Sequence, residues 1–205
     1  MRVTVVGGTG DFGLALARRL AEAGDHVVIG SRDAERARLK AEEADAAAGA
    51  ANADAVAGSD LVVLAVKAEG ALSTAAELAH ALGETPVLSV ASELRFAGGR
   101  AYPSSEQRSL AERTQELVRG PVTAGLHSLA AASLAGGRSD GDALVCGDDE
   151  HAKELALALA AKVVTGRALD AGPLASARAL EGMTAVIVNL NRRYKGHAGV
   201  SVTGL

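Results

Sequence analysis

Short apolar runs alternate along this chain with longer stretches in which apolar residues recur every three or four positions. Val3–Val6 is the first run, β-branched throughout, and reads as a buried parallel strand. Phe12, Leu16 and Leu20 then recur at i, i+4 and i+8 with Ala17 and Ala21 beside them, which predicts a helix closed by Gly24. His26–Gly30 reads as the second strand. Asp33 is placed to cap a helix from Ala34 to about Ala48, within an alanine-rich stretch running on to Ala51. A capped turn around Asn52–Gly58 leads to the buried strand Leu61–Val66. A helix over Ala71–Leu82 follows, ended by Gly83, and then a strand over Pro86–Val90.

From Ala91 to Ser104 the pattern breaks into a long irregular segment with Gly98, Gly99 and Pro103. Loops of this length inside compact domains tend to be functional. This one leaves a strand end, so it is expected to close over a ligand. Ser105 or its neighbour caps a helix carrying Leu110, Thr114, Leu117 and Val118, stopped at Gly120-Pro121. Val122–Leu126 is a strand with His127 at its end, Leu129–Leu134 reads as helical, and Gly136–Asp142 as a polar loop. Ala143–Cys146 is a further strand, a helix capped by Asp148 or Asp149 runs through Ala161, and Arg167–Asp170 suits a last short strand. After Gly172-Pro173 a long helix runs from Leu174 to about Tyr194, with Leu180, Ile187, Val188 and Leu190 on its apolar side.

Alternating strands and helices of this kind predict an α/β fold, a Rossmann-type doubly wound and mainly parallel sheet with a small C-terminal helical appendage. Residues 1–171 are expected to form this main domain. Residues 172–205 are too few to fold alone and are expected to lie against it, completing a second site. Hydrophobic residues are 48% of the chain but aromatics only 2%, so alanine, leucine and valine must build the core. The formal net charge of −4 gives no footprint for nucleic acid. A single cysteine, Cys146, excludes an internal disulfide framework. The apolar runs are too short to span a bilayer, and the first strand starts too early to leave room for a leader. A soluble cytoplasmic protein is the expectation.

Chemistry enters at Gly7–Gly13, where Gly8, Gly10 and Gly13 satisfy G-x-G-x-x-G between a strand and a helix. Such a turn lets the backbone approach a pyrophosphate, with the free N–H groups of the helix end facing it. Gly8, Thr9, Gly10, Asp11 and Phe12 are therefore candidate cofactor contacts. An NAD site would carry Asp or Glu at the end of the second strand. This chain reads Gly30-Ser31-Arg32, with Arg36 one turn further on. A hydroxyl and two guanidinium groups suit the 2′-phosphate of NADP, and Asp33 is better used as a helix cap than as a ribose acid. Ligands in these folds collect at the C-terminal strand ends. That adds Val66, Lys67, Ala68 and His127.

Other chemistries fare poorly. Gly7, Gly10 and Gly13 also fit the spacing of extended short-chain reductases, but neither Tyr102 nor Tyr194 has the lysine four residues on that those enzymes need. The five histidines show no metal-ligand spacing among themselves or with Cys146. His26 is expected half-buried, and His80 and His151 solvated. His127 faces the ligand side, where orienting a ligand suits it better than acid–base work. Arg18/Arg19 and Arg192/Arg193 read as solvated faces.

GGTGDFG, GSRDAERA, VCGDDE, LDAGPLASAR and NLNRRYKGHAGVSVTGL, spread over nearly the whole chain, resemble the F420:NADP oxidoreductases, NADPH-dependent reductases of the deazaflavin coenzyme F420. The resemblance implies reversible hydride transfer between NADP(H) and the 8-hydroxy-5-deazaflavin coenzyme F420, with the protein supplying position and electrostatics. It implies that Thr9–Phe12, Ser31, Arg32 and Arg36 hold NADP. His127 and Leu129 would be positioning residues at the contact of the two rings, with Arg178 and Thr184 on the deazaflavin side and Ala131 and Val200 among the cofactor contacts. A homodimer is implied. The chain departs from the family pattern at Lys67, where proline or an apolar residue is expected. It also has Ser-Leu-Ala after His127, without a proline, and Gly182 in place of serine.

Overall fold

The computed structural model describes residues 1–205. Its strands and helices alternate in the order β1 (Arg2–Val6), α1 (Asp11–Glu22), β2 (His26–Ser31), α2 (Ala34–Glu43), β3 (Ala48–Ala51), α3 (Asn52–Ala55), β4 (Leu61–Leu64), α4 (Ala68–Leu82) and β5 (Val87–Ser89). A hairpin β6 (Leu94–Ala97) and β7 (Arg100–Pro103) follows. Then come α5 (Leu110–Gln115), β8 (Val122–Gly125), α6 (Ala131–Gly136), β9 (Ala143–Gly147), α7 (Glu150–Val163), β10 (Ala168–Asp170) and α8 (Ala177–Tyr194). Eight strands make one sheet in the order β10-β9-β8-β5-β4-β1-β2-β3. Six of them are parallel, while β9 runs antiparallel to β8 and β10 parallel to β9.

The sheet forms because its strands are apolar on both faces. β4 (LVVL) is buried throughout, and Val3, Val5 and Ile29 are fully shielded. One face packs Leu16, Leu20, Leu134 and Leu159 from the helices that cover it. The other face packs Leu78 and Leu82 of α4 together with Ala177 and Leu180 of α8. The C-terminal helix thus shares its core with β4, β5 and β8. None of the helices is long and apolar enough to cross a membrane.

Several local expectations are corrected. The alanine-rich stretch is no helix end: α2 stops at Glu43, Asp45 takes a positive φ of 52°, and Ala48–Ala51 pairs with β2 as the edge strand. Alanine's helix propensity yields here to sheet pairing. α2 lies so close that a Cβ at Gly49 would come within 2.1 Å of the Ala37 carbonyl oxygen. The segment Ala91–Ser104 is not irregular, because Gly98 and Gly99, both at positive φ, turn it into the β6–β7 hairpin. The cap of α5 is Ser109, not Ser105: Ser109 and Glu112 form a reciprocal capping box. α6 begins at Ala131, two residues late, because Leu126 is left-handed (φ 64°) and accepts a bond from the Leu129 N–H in a turn. The long C-terminal helix opens with a 3₁₀ turn over Leu174–Ser176, and Leu190, expected on its apolar side, is exposed with Val186. His26 also proves exposed at the first position of β2.

Candidate functional site

The turn between β1 and α1 is built for close approach. Gly7 has φ 83°, and a Cβ there would meet the Ala65 carbonyl oxygen at 2.5 Å. A Cβ at Gly13 would come within 2.6 Å of the Gly7 oxygen, so only glycine lets α1 start this near the strand. Gly10 is the N-cap of α1 and makes no side-chain cap, which leaves the first N–H groups of the helix for an anion.

At the end of β2 the Ser31 hydroxyl accepts from the Asp33 N–H, and Asp33 in turn caps α2 by accepting from the Arg36 N–H at 3.0 Å. Asp33 is therefore engaged as a cap. Arg32 and Arg36 are exposed, and neither is paired with a carboxylate. Arg36 Nη2 donates to the Thr9 carbonyl at 3.4 Å. Thr9, Gly10, Ser31, Arg32 and Arg36 line one cleft of about 690 Å³. Asn52, which the sequence marked only as part of a turn, also lines it, and its buried Oδ1 has no partner.

A second cleft, about 610 Å³, continues from the first through Val66, Lys67 and Glu69, which line both. Lys67 is exposed as the N-cap of α4 and makes no side-chain cap bond. Ala91, Ser92 and the β6 strand form the far wall. A third, smaller cleft of about 290 Å³ adjoins it through Glu93, Ser104 and Glu106, and is lined by Arg108, Arg178 and Gly182. The Arg178 Nε donates to the Glu106 carbonyl at 3.2 Å. The Cβ position of Gly182 faces Pro103 at 3.6 Å, ordinary contact distance.

Ser92 is the joint of a small polar cluster that the sequence did not single out. Its hydroxyl lies 3.1 Å from His127 Nδ1 and 2.7 Å from Thr184 Oγ1, and Thr184 donates to the His127 carbonyl at 3.0 Å. The structure thus brings His127 and Thr184 together with the central cleft through Ser92, which stands at the C-terminal side of β5. That placement was the available signal. His127 is 6% exposed, and burial pulls its imidazole pKa down to about 4. Leu129 is 8% exposed and packs in the main core. Leu129, Ala131 and Val200 line none of the three clefts. The Val200 carbonyl instead accepts from the Asp142 N–H at the start of β9.

Glu181 is a second buried group that the sequence gave no sign of. Its carboxylate accepts from the N–H groups of Leu110 and Ala111, at 3.0 and 3.2 Å, and so holds α5 against α8. Burial raises its pKa to about 7, against the lowering effect of those two bonds. Cys146 is buried and its thiol is pushed up to about 12, chiefly by desolvation, which makes it unreactive. The fold assembles no group of three or more His, Cys, Asp or Glu side chains that could hold a metal ion.

The sequence profile of the family described as "NADP oxidoreductase coenzyme F420-dependent" matches residues 2–93. An F420-dependent NADP reductase of Methanothermobacter thermautotrophicus is 36% identical over the whole of this chain and 96% of its own. The corresponding reductase of Methanothermobacter marburgensis is 34% identical over the whole of this chain and 99% of its own. Among solved structures, a protein assigned as an F420-dependent NADP reductase from Arthrobacter sp. FB24 superposes with a TM-score of 0.86 at 25% identity, over all of both chains. With full-length relatives above 30% identity, the chain belongs to the family of F420-dependent NADP reductases.

Proposed function

We propose that this chain transfers a hydride reversibly between NADP(H) and the 8-hydroxy-5-deazaflavin coenzyme F420. The observation that carries this is the continuous run of clefts from the Arg32/Arg36 end of the sheet, past Lys67, to Ser92 and Arg178. A run of that length suits two extended cofactors end to end. The nicotinamide and deazaflavin rings supply the redox chemistry themselves, so the protein needs to bind, orient and exclude water.

The residues fit the NADP half. The uncapped end of α1 receives a pyrophosphate, Arg32 and Arg36 pair with a 2′-phosphate, and Asn52 Oδ1 stands free to accept from a hydroxyl or amino group. Lys67, where both clefts meet, carries an ammonium group suited to anionic oxygens. On the other side Arg178 and Thr184 flank the deazaflavin end, and Ser92 and His127 hold the ring that reacts. Leu129 acts from the core, and Ala131 and Val200 stand outside the clefts. A chain of this kind acts in the cytoplasm as a homodimer; the exposed row Val186, Leu190 and Tyr194 along α8 supports the latter.

The test is direct. Protein, NADPH and oxidised deazaflavin coenzyme are mixed, and the deazaflavin absorbance is followed. Catalytic loss of that absorbance is the expected result. NADPH binding without any turnover would instead mean a nucleotide sensor.

A further inference from the structure

Three hydrogen bonds link His127, Ser92 and Thr184 into a closed ring, and their directions are fixed by valence. A carbonyl oxygen only accepts, so the single Thr184 proton is committed to the His127 carbonyl. The 2.7 Å contact between Thr184 Oγ1 and Ser92 Oγ then requires Ser92 to donate. With its own proton spent, Ser92 can only accept from His127, so the imidazole proton sits on Nδ1 at 3.1 Å. The His127 Nε2 is left as a bare lone pair, buried and without a partner. Ser92 keeps one free lone pair as well, and it is the member of the ring that lines the central cleft.

We infer that Ser92 and Thr184 are positioning residues that lock His127 in the neutral Nδ1–H tautomer, so that Ser92 Oγ and His127 Nε2 are both left as acceptors, suited to an amide or imide N–H donor. Resting on the proposed hydride transfer, that donor is the nicotinamide carboxamide or the N–H of the deazaflavin ring. Two independent features agree. Burial keeps the imidazole uncharged, at a pKa of about 4. An unpaired buried lone pair is costly unless a ligand fills it. Recognition by acceptors alone also rejects a ring whose amide is replaced by a group without N–H, since the acceptors then stay unpaired.

The ring can be read without any turnover, by ¹⁵N–¹H NMR of protein labelled at histidine nitrogen. In the free protein His127 is expected as the Nδ1–H tautomer with a bare Nε2; an Nε2–H signal overturns the proposal. Removing the hydroxyl in Ser92→Ala, or freeing the Ser92 proton in Thr184→Val, is expected to shift His127 toward Nε2–H. Ser92→Thr is expected to keep Nδ1–H. A tautomer unmoved by both hydroxyl deletions shows that the ring does not set it. NADPH alone and oxidised deazaflavin coenzyme alone are then added to the wild-type protein. The Nε2 resonance moves upfield with whichever one carries the donor, and no movement with either overturns the acceptor role. Because the tautomer is read before any cofactor is added, its outcome is separable from the absorbance test of hydride transfer.

Discussion

The guanidinium of Arg36 reaches from the first turn of α2 to the carbonyl of Thr9, 3.4 Å away, and so lies over the glycine turn. It joins the two loops that a dinucleotide must bridge. Arg32 stands beside it, exposed and without a carboxylate partner. Charge-assisted bonds to phosphate contribute roughly 1.5–3 kcal/mol each. The double variant Arg32→Ala/Arg36→Ala is therefore expected to weaken NADP(H) about a hundredfold, with little change for NAD(H). Titration calorimetry with both nucleotides checks it, and an unchanged preference would place the 2′-phosphate elsewhere.

The β6–β7 hairpin should order on the second cofactor, and Asn189 of α8 sets how freely it moves. Its side chain accepts from the Ala101 N–H at 2.9 Å and donates to the Ala101 carbonyl at 2.8 Å, clipping β7 to the helix. Two such bonds contribute about 1 kcal/mol each. Asn189→Ala is expected to speed amide exchange across residues 94–103 and to raise the KM for the deazaflavin about tenfold, leaving NADP affinity intact. Exchange that is identical with and without deazaflavin in the wild type would count against closure.

His127→Ala should slow single-turnover hydride transfer only about tenfold, through misplacement of a ring. A general acid would be worth roughly 10²–10⁴. With its pKa held near 4 by burial, His127 stays neutral in the range where the rate is measured. The wild-type pH profile from about pH 5 to 9 should carry no inflection that the variant loses. A larger loss, accompanied by a vanished inflection, would make His127 the acid.

Most of the order of strands and helices was legible because strands such as β1 and β4 are short apolar runs rich in valine and each long helix repeats its apolar face. That Thr9, Gly10, Ser31, Arg32 and Arg36 share one cleft was legible for a related reason: each group sits at or just past the C-terminal end of its own strand, within a short stretch of chain. What stayed hidden depends on distant partners. Ser92 meets Thr184 ninety-two residues on, and Glu181 caps a helix seventy residues upstream. The alanine-rich β3 was misread because nothing local distinguishes it from a helix end; its fate is decided by β2 and by the fit of Gly49 under α2. Leu129 and Val200 were placed by family resemblance, which assigns a role but not whether the side chain faces the cleft.

Asp142 ties down the C-terminal tail. Its carboxylate accepts from the Arg167 and Val202 N–H groups and from the Arg167 guanidinium, and these bonds hold its pKa down to about 2. A carboxyl lowered in the folded state contributes above its ordinary value of 3.8 and loses that contribution as pH falls through about 2. The tail should therefore stay docked at neutral pH and come loose in strong acid, before the sheet unfolds. Asp142→Ala should free residues 198–205 at neutral pH. Limited proteolysis from the C-terminus measures it, and equal resistance in the variant would show that the tail is held otherwise.

Glu181 and His127 oppose each other in the pH dependence of stability. Glu181 is raised from 4.5 to about 7, mainly by burial. Its folded form therefore binds more protons than its unfolded form between those values, and stability falls as pH rises across them. His127 is lowered from 6.5 to about 4, so its unfolded form binds more protons and stability rises with pH over that window. Each shift corresponds to roughly 3 kcal/mol, and the windows overlap almost completely, so the wild-type contributions of these two groups nearly cancel. Removing either one should expose the other. Glu181→Gln is expected to lose stability as pH drops from about 6.5 to 4, and His127→Ala to lose it as pH climbs from about 4.5 to 7. Urea midpoints of the three proteins across that range decide the matter. Slopes of the same sign in the two variants would mean that the burial of at least one of these groups does not control its protonation.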